Sequence, residues 1–121
     1  MGFKTETQWL NKEFGGNPPA APSIGYLTSG TERTAVKDVN VYFIDTSSAA
    51  QSIVLFDDES AAGAYIQLVD HKGNANTNNI TVKVPSGWSC NGSSGGTVTI
   101  STAGAIKHCW CDGANKNWIV R

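Results

Sequence analysis

The chain has 121 residues, enough for one domain with a modest core. Charged residues make up 16% of it and the net charge is −1, so no basic excess exists to neutralise phosphates and nucleic-acid binding has no electrostatic basis. No apolar run approaches the ~20 residues of a membrane span. The start of the chain, with Lys4, Glu6, Gln8 and Trp9, has no apolar core of a leader, so the expectation is a protein made and kept in a cytoplasm. Gly, Ser, Thr and Asn are abundant and good helix formers scarce, which favours an all-β fold rich in turns.

Residues 1–24 read as an arm. Phe3, Trp9, Leu10 and Phe14 are large apolar groups on a short polar segment, with one or two helical turns expected over Thr5–Phe14. Gly15-Gly16-Asn17-Pro18-Pro19-Ala20-Ala21-Pro22-Ser23 follows as an extended linker, because proline fixes φ and restricts the residue before it. A segment this short cannot build a core, so its four large side chains need another surface. That surface is either the protein's own domain or a neighbouring copy, or else a separate partner into which the arm inserts.

Strand signals recur from Ile24 onward, and the domain is assigned to residues 25–121. They predict a possible edge strand at Tyr26–Leu27, then strands at Val36–Ile44, Ser52–Phe56, Ala64–Val69, Asn79–Val84, Thr97–Ser101, Ala105–Cys111 and Trp118–Val120. Turns fall between them, at Asp45–Ala50, Asp57–Gly63, Asp70–Asn78, Pro85–Gly96, Thr102–Gly104 and Asp112–Asn117, with a single helical turn expected near Asp57–Ala62. This spacing predicts a small antiparallel β-sandwich of jelly-roll-like form, preceded by an extended N-terminal arm. The clearest segment is Asp70–Val84, a Gly- and Asn-rich turn running into alternating Ile80, Val82 and Val84. Gly and Asn tolerate positive φ, and the alternation places three β-branched side chains on one face.

Candidate chemistry is sparse. Asp57, Asp58 and Glu59 are the best acidic cluster, but consecutive loop carboxylates do not straddle a sugar as glycoside hydrolysis requires, and they form only a fragment of a calcium loop. His71 and His108 have no nucleophile signature beside them. Gly92-Ser93-Ser94-Gly95-Gly96 lacks the lysine and following helix of a phosphate loop. Cys90, Cys109 and Cys111 make no even disulfide framework, and in a regular strand His108 points away from Cys109 and Cys111, which argues against a zinc site. No catalytic residue, cofactor or metal is therefore expected. Among the aromatic residues, Tyr26, Tyr42, Tyr65, Trp110 and Trp118 lie on predicted strands, where rings fill a core or an interface. Trp88 lies in a loop and is the candidate for glycan contact.

Several of these pieces resemble, in order and spacing, a β-sandwich module of bacteriophage virion proteins found in tail fibres, baseplate parts and capsid accessory proteins. They are Tyr42-Phe43-Ile44-Asp45-Thr46-Ser47, Ser52-Ile53-Val54-Leu55, the Gly73-to-Val82 run, Thr97–Ser101 and Asp112-Gly113-x-x-x-x-Trp118, spanning about residues 36–121. The chain departs from the module after Leu55, where Phe56-Asp57-Asp58 stands in place of a frequent proline. The resemblance implies a non-enzymatic virion structural protein assembled in a bacterial cytoplasm. A chain that opens with Met at this length is read as a whole gene product. It then fits a capsid decoration or cement protein, docked on the major capsid protein or another virion protein through Phe3, Trp9, Leu10 and Phe14, as a homotrimer. A tail, baseplate or fibre component and a host-glycan-binding module are the alternatives.

Overall fold

The structure is a computed structural model that describes residues 23–28 and 31–121. Two β-sheets face each other across one core. The chain lays down β1 (Ile24–Thr28), β2 (Arg33–Thr34), β3 (Val41–Asp45), β4 (Gln51–Val54), β5 (Tyr65–Asp70) and β6 (Ile80–Lys83). It continues through β7 (Ser89–Cys90), β8 (Ser93–Ser94), β9 (Thr97–Ile100), β10 (Ile106–Asp112) and β11 (Asn117–Val120). The larger sheet has the order β1-β3-β5-β10-β11-β7-β8 and the smaller one β2-β4-β6-β9.

The all-β class and the two-sheet arrangement are those expected from the sequence, but the sheets are mixed, not antiparallel. From β1 to β6 the chain alternates between sheets. Each sheet therefore receives every second strand running the same way, and β1-β3-β5 and β2-β4-β6 pair in parallel. Antiparallel pairing enters with β9 on β6, β10 on β5, β11 on β10, and β7 on β8.

The short strand β2 was not expected, most other strands shift by one or two residues, and three differences bear on the fold. Ile24, assigned to the arm by sequence, already belongs to β1, where its strand pairs with β3. Val36–Ile44 is not one strand. A turn closed by Val39 N–H donating to the Val36 carbonyl at 3.1 Å precedes Val41, and the Tyr42 hydroxyl accepts from Val36 N–H at 2.8 Å. Pro85–Gly96 is not a plain loop, since β7 and β8 form a hairpin within it. Asn91 and Gly92, at φ 50° and 85°, supply the two left-handed positions of its turn. The single helical turn appears as a 3-10 turn at Glu59–Ala61.

The core lies between the sheets, built from alternate inward residues: Tyr42 and Ile44, Ile53, Ile66 and Leu68, Ile80 and Val82, Ile100, Cys109 and Cys111, Trp118 and Val120. The Asn-rich turn closes one end. The buried Asp70 carboxylate accepts from Ala75 N–H at 3.1 Å and Gly104 N–H at 2.8 Å, and Asn78 Nδ2 donates to the Thr46 carbonyl at 2.8 Å. Polar side chains thus hold a loop that crosses from the larger to the smaller sheet. At the opposite end, Gly113 sits so close to the Glu59 carbonyl that any Cβ there would collide with it.

Candidate functional site

Strand alternation gives every inward residue an outward neighbour, and at the centre of the larger sheet most of those neighbours are apolar. Tyr26, Phe43, Val69 and Ile106 are successive partners across β1, β3, β5 and β10. A second row runs Ile24, Val41, Gln67, His108 and ends on Arg121, whose N–H and carbonyl pair with those of His108 at 2.8 and 2.7 Å, and a third runs Tyr65, Trp110, Ile119. Arg121, at the edge of the second row, is the one charged residue in the rows, and besides it only Gln67 and His108 are not hydrophobic or aromatic. Tyr26 is 66% exposed, Ile24 51%, Ile106 47% and Trp110 41%. Polar residues border the rows: Thr28 and Asp45 at one end, Asp112 and Asn117 at the other. An apolar centre with a polar rim is the anatomy of a contact surface.

The rings form two groups. Tyr26 stacks on Phe43 with centroids 5.5 Å apart, and His71 packs against both at 5.9 and 5.5 Å. Across the sheet, Tyr65, His108 and Trp110 lie mutually within 5.4–5.9 Å, and the Tyr65 hydroxyl is hydrogen-bonded to His108 Nδ1. Such pairs contribute about 0.5–1.5 kcal/mol each beyond burial and hold the rings in a fixed layer. Both histidines are thus held among aromatic rings, away from Cys109 and Cys111, which point inward.

Trp88 is not on any surface. It is 1% exposed, with its ring 6.3 Å from that of Trp118 and Nε1–H donating to Asp57 Oδ1 at 2.8 Å. A turn in which Trp88 N–H donates to the Pro85 carbonyl at 3.0 Å, with Gly87 at φ 85°, brings the ring into the core. The sequence expectation of glycan stacking at Trp88 is therefore corrected, because neither face of the ring is open. The accessible aromatics are the strand residues Trp110 and Tyr26. Alternation carried the missed signal: Trp110 falls between Cys109 and Cys111, so a strand that buries both cysteines must present the tryptophan outward.

The acidic loop is occupied structurally. Asp57 caps Trp88. Asp58 accepts from Ser60 N–H at 2.9 Å, from Ser60 Oγ at 2.6 Å and from Lys37 Nζ at 2.9 Å, and these hydrogen bonds, those from Ser60 first, lower its carboxyl to about 2. Glu59 meets Lys116 at 3.1 Å. Cys90, Cys109 and Cys111 are free and buried, and burial pushes the Cys109 thiol up to about 12, with Cys90 adding a smaller push. Among the described residues, no three His, Cys, Asp or Glu side chains are grouped to hold a metal ion. Phe3, Trp9, Leu10 and Phe14 lie outside the described residues. No protein-family model matches the chain, and no curated protein is significantly similar to it.

Proposed function

We propose that this protein is a non-enzymatic structural component of a bacteriophage particle, in the role of a capsid decoration or cement protein docked on the major capsid protein. The observation that carries the assembly part of this reading is the outward face of the larger sheet: apolar and aromatic at its centre, with charge confined to its margin at Asp45, Asp112 and Arg121. The virion part rests on the resemblance of residues 36–121 to phage β-sandwich modules. The arm side chains Phe3, Trp9, Leu10 and Phe14 supply the link to the lattice, and copies associate as a trimer.

No bond need be made or broken for this role. A protein that binds only the assembled lattice stabilises it by mass action, and many copies each contribute a small increment. Particles stripped of the protein should release DNA at a lower temperature than complete ones, and adding it back should restore them with host adsorption unchanged. Unchanged heat resistance with reduced adsorption would instead assign it to a tail, baseplate or fibre, or to host-glycan recognition.

A further inference from the structure

The parallel strands β1, β3 and β5 carry apolar side chains on both sides, as in Val41-Tyr42-Phe43-Ile44 and Tyr65-Ile66-Gln67-Leu68-Val69. Parallel strands of this kind are normally covered on both faces. Here one face lies against the smaller sheet and the other is open. We propose that the chain's own N-terminal segment, residues 1–22, covers that open face in the free protein, seating Trp9, Leu10 and Phe14 against the Tyr26–Phe43 and Tyr65–Trp110 aromatic groups.

Three observations select this occupant. The first is where the segment joins. Ser23 is fixed at the mouth of edge strand β1, its carbonyl accepting from Asn40 and Val41 N–H at 3.1 Å and its N–H donating to Asn40 Oδ1 at 2.8 Å. By strand register, the chain therefore enters at the border of the open face, on the side of the Tyr65–Trp110 group. The second is size. Five strands at ~4.8 Å spacing and three rows ~7 Å apart make a face of about 20 by 15 Å. A face of that size can be spanned by a single covering segment. Phe14 lies nine steps along the chain before Ser23, a reach of up to ~30 Å, so the large side chains can cross the whole face. The third is charge. The segment's Lys4 and Lys12 are balanced by Glu6 and Glu13, so its side chains bring no net charge onto a face whose centre is apolar. Tethering also gives the segment an effective concentration in the millimolar range, above that of any free competitor at ordinary protein concentrations.

This inference concerns the free chain and stands apart from the virion reading. The test places a photo-cross-linking benzophenone amino acid at position 9 of the full-length protein, in a one-to-one mixture of isotopically light and heavy chains. Cross-links should map to Phe43, Tyr65, Ile106 or Trp110, within one chain. Trp110→Glu should cut their yield at least several-fold while the circular dichroism of the fold is unchanged. A chain beginning at Ser23 should bind a hydrophobic dye several-fold more strongly than the full chain. Cross-links between light and heavy chains would overturn the proposal in favour of a second copy's arm. Cross-links to the smaller sheet, none to either sheet, or equal dye binding would overturn it outright. Incorporation into particles without these cross-links sinks this inference alone, whereas cross-links without incorporation sink the virion reading alone.

Discussion

The two outer faces of the sandwich differ in kind although one chain builds both. On the smaller sheet, the outward rows read Ser52, Thr81, Thr99 and Val54, Lys83, Thr97, with Lys83 Nζ bonded to Glu32 at 2.7 Å. On the larger sheet they read Tyr26, Phe43, Val69, Ile106 and Tyr65, Trp110, Ile119. Hydroxyls and a paired lysine keep the first face in water and blunt its tendency to aggregate. The second face has apolar area that water does not favour. Both sheets need one apolar face for the shared core, so only the larger sheet has apolar side chains beyond what folding requires. That surplus is the strongest pointer to contact with another surface.

Substitutions can break this contrast in order of expected effect. The largest sets the inner face of the larger sheet against its outer face. Trp118, fully buried, lies edge-on to Phe56 at 4.9 Å and donates from Nε1 to the Phe56 carbonyl at 3.2 Å. Trp118→Ala should destabilise the domain by about 3–5 kcal/mol, whereas Trp110→Ala in a chain beginning at Ser23 should cost about 1 kcal/mol or less. Urea denaturation of the two variants checks this, and equal losses would mean that Trp110 is a core residue. Next, Gly113→Ala should cost about 2–4 kcal/mol, since the Glu59 backbone must move to admit a methyl group, while Gly104→Ala, with open space but φ 75°, should cost about 1 kcal/mol. A melting-temperature comparison separates the two.

Much of the fold was legible, and the parts that were not have identifiable causes. Ile80–Lys83 and Thr97–Ile100 follow period-two patterns with one polar face, and both fall within the expected Asn79–Val84 and Thr97–Ser101. The parallel pairing was illegible, because alternation within a strand says nothing about which sheet the next strand joins. The β7–β8 hairpin was legible in principle from Asn91-Gly92, a two-residue turn signal overshadowed by the surrounding glycines and serines. Trp88 was misplaced because loop residues are taken as exposed, although a turn at Pro85–Trp88 can drive a ring inward. The open face was visible in the sequence as strands apolar on both sides, such as Tyr65–Val69, yet which side stays uncovered is decided by the second sheet.

Smaller effects follow from the titrating groups. Asp57→Asn weakens the acceptor of Trp88 Nε1 and should destabilise by about 1 kcal/mol, measurable by denaturant titration. The thiol of Cys109 is held protonated up to about 12 in the folded chain, against ~8.5 when unfolded. The unfolded chain therefore loses that proton first. Stability contributed by this group is intact below about pH 8.5 and falls between there and about pH 12, by about 1.4 kcal/mol per pH unit at most. Melting curves across that range should show a shallower alkaline decline for Cys109→Ala than for the parent. Parallel declines would show that Cys109 is not the group responsible.

The contrast between the two faces is tested most directly by occupancy. Trp110→Glu and Thr99→Glu each put one carboxylate on an outward strand position, the first on the larger sheet and the second on the smaller. Each variant, competed against the parent for incorporation into particles and quantified by mass spectrometry, reports whether its face is buried in the assembly. The account predicts full incorporation of Thr99→Glu and at least tenfold depletion of Trp110→Glu. Equal incorporation of both, or depletion of Thr99→Glu alone, would contradict it.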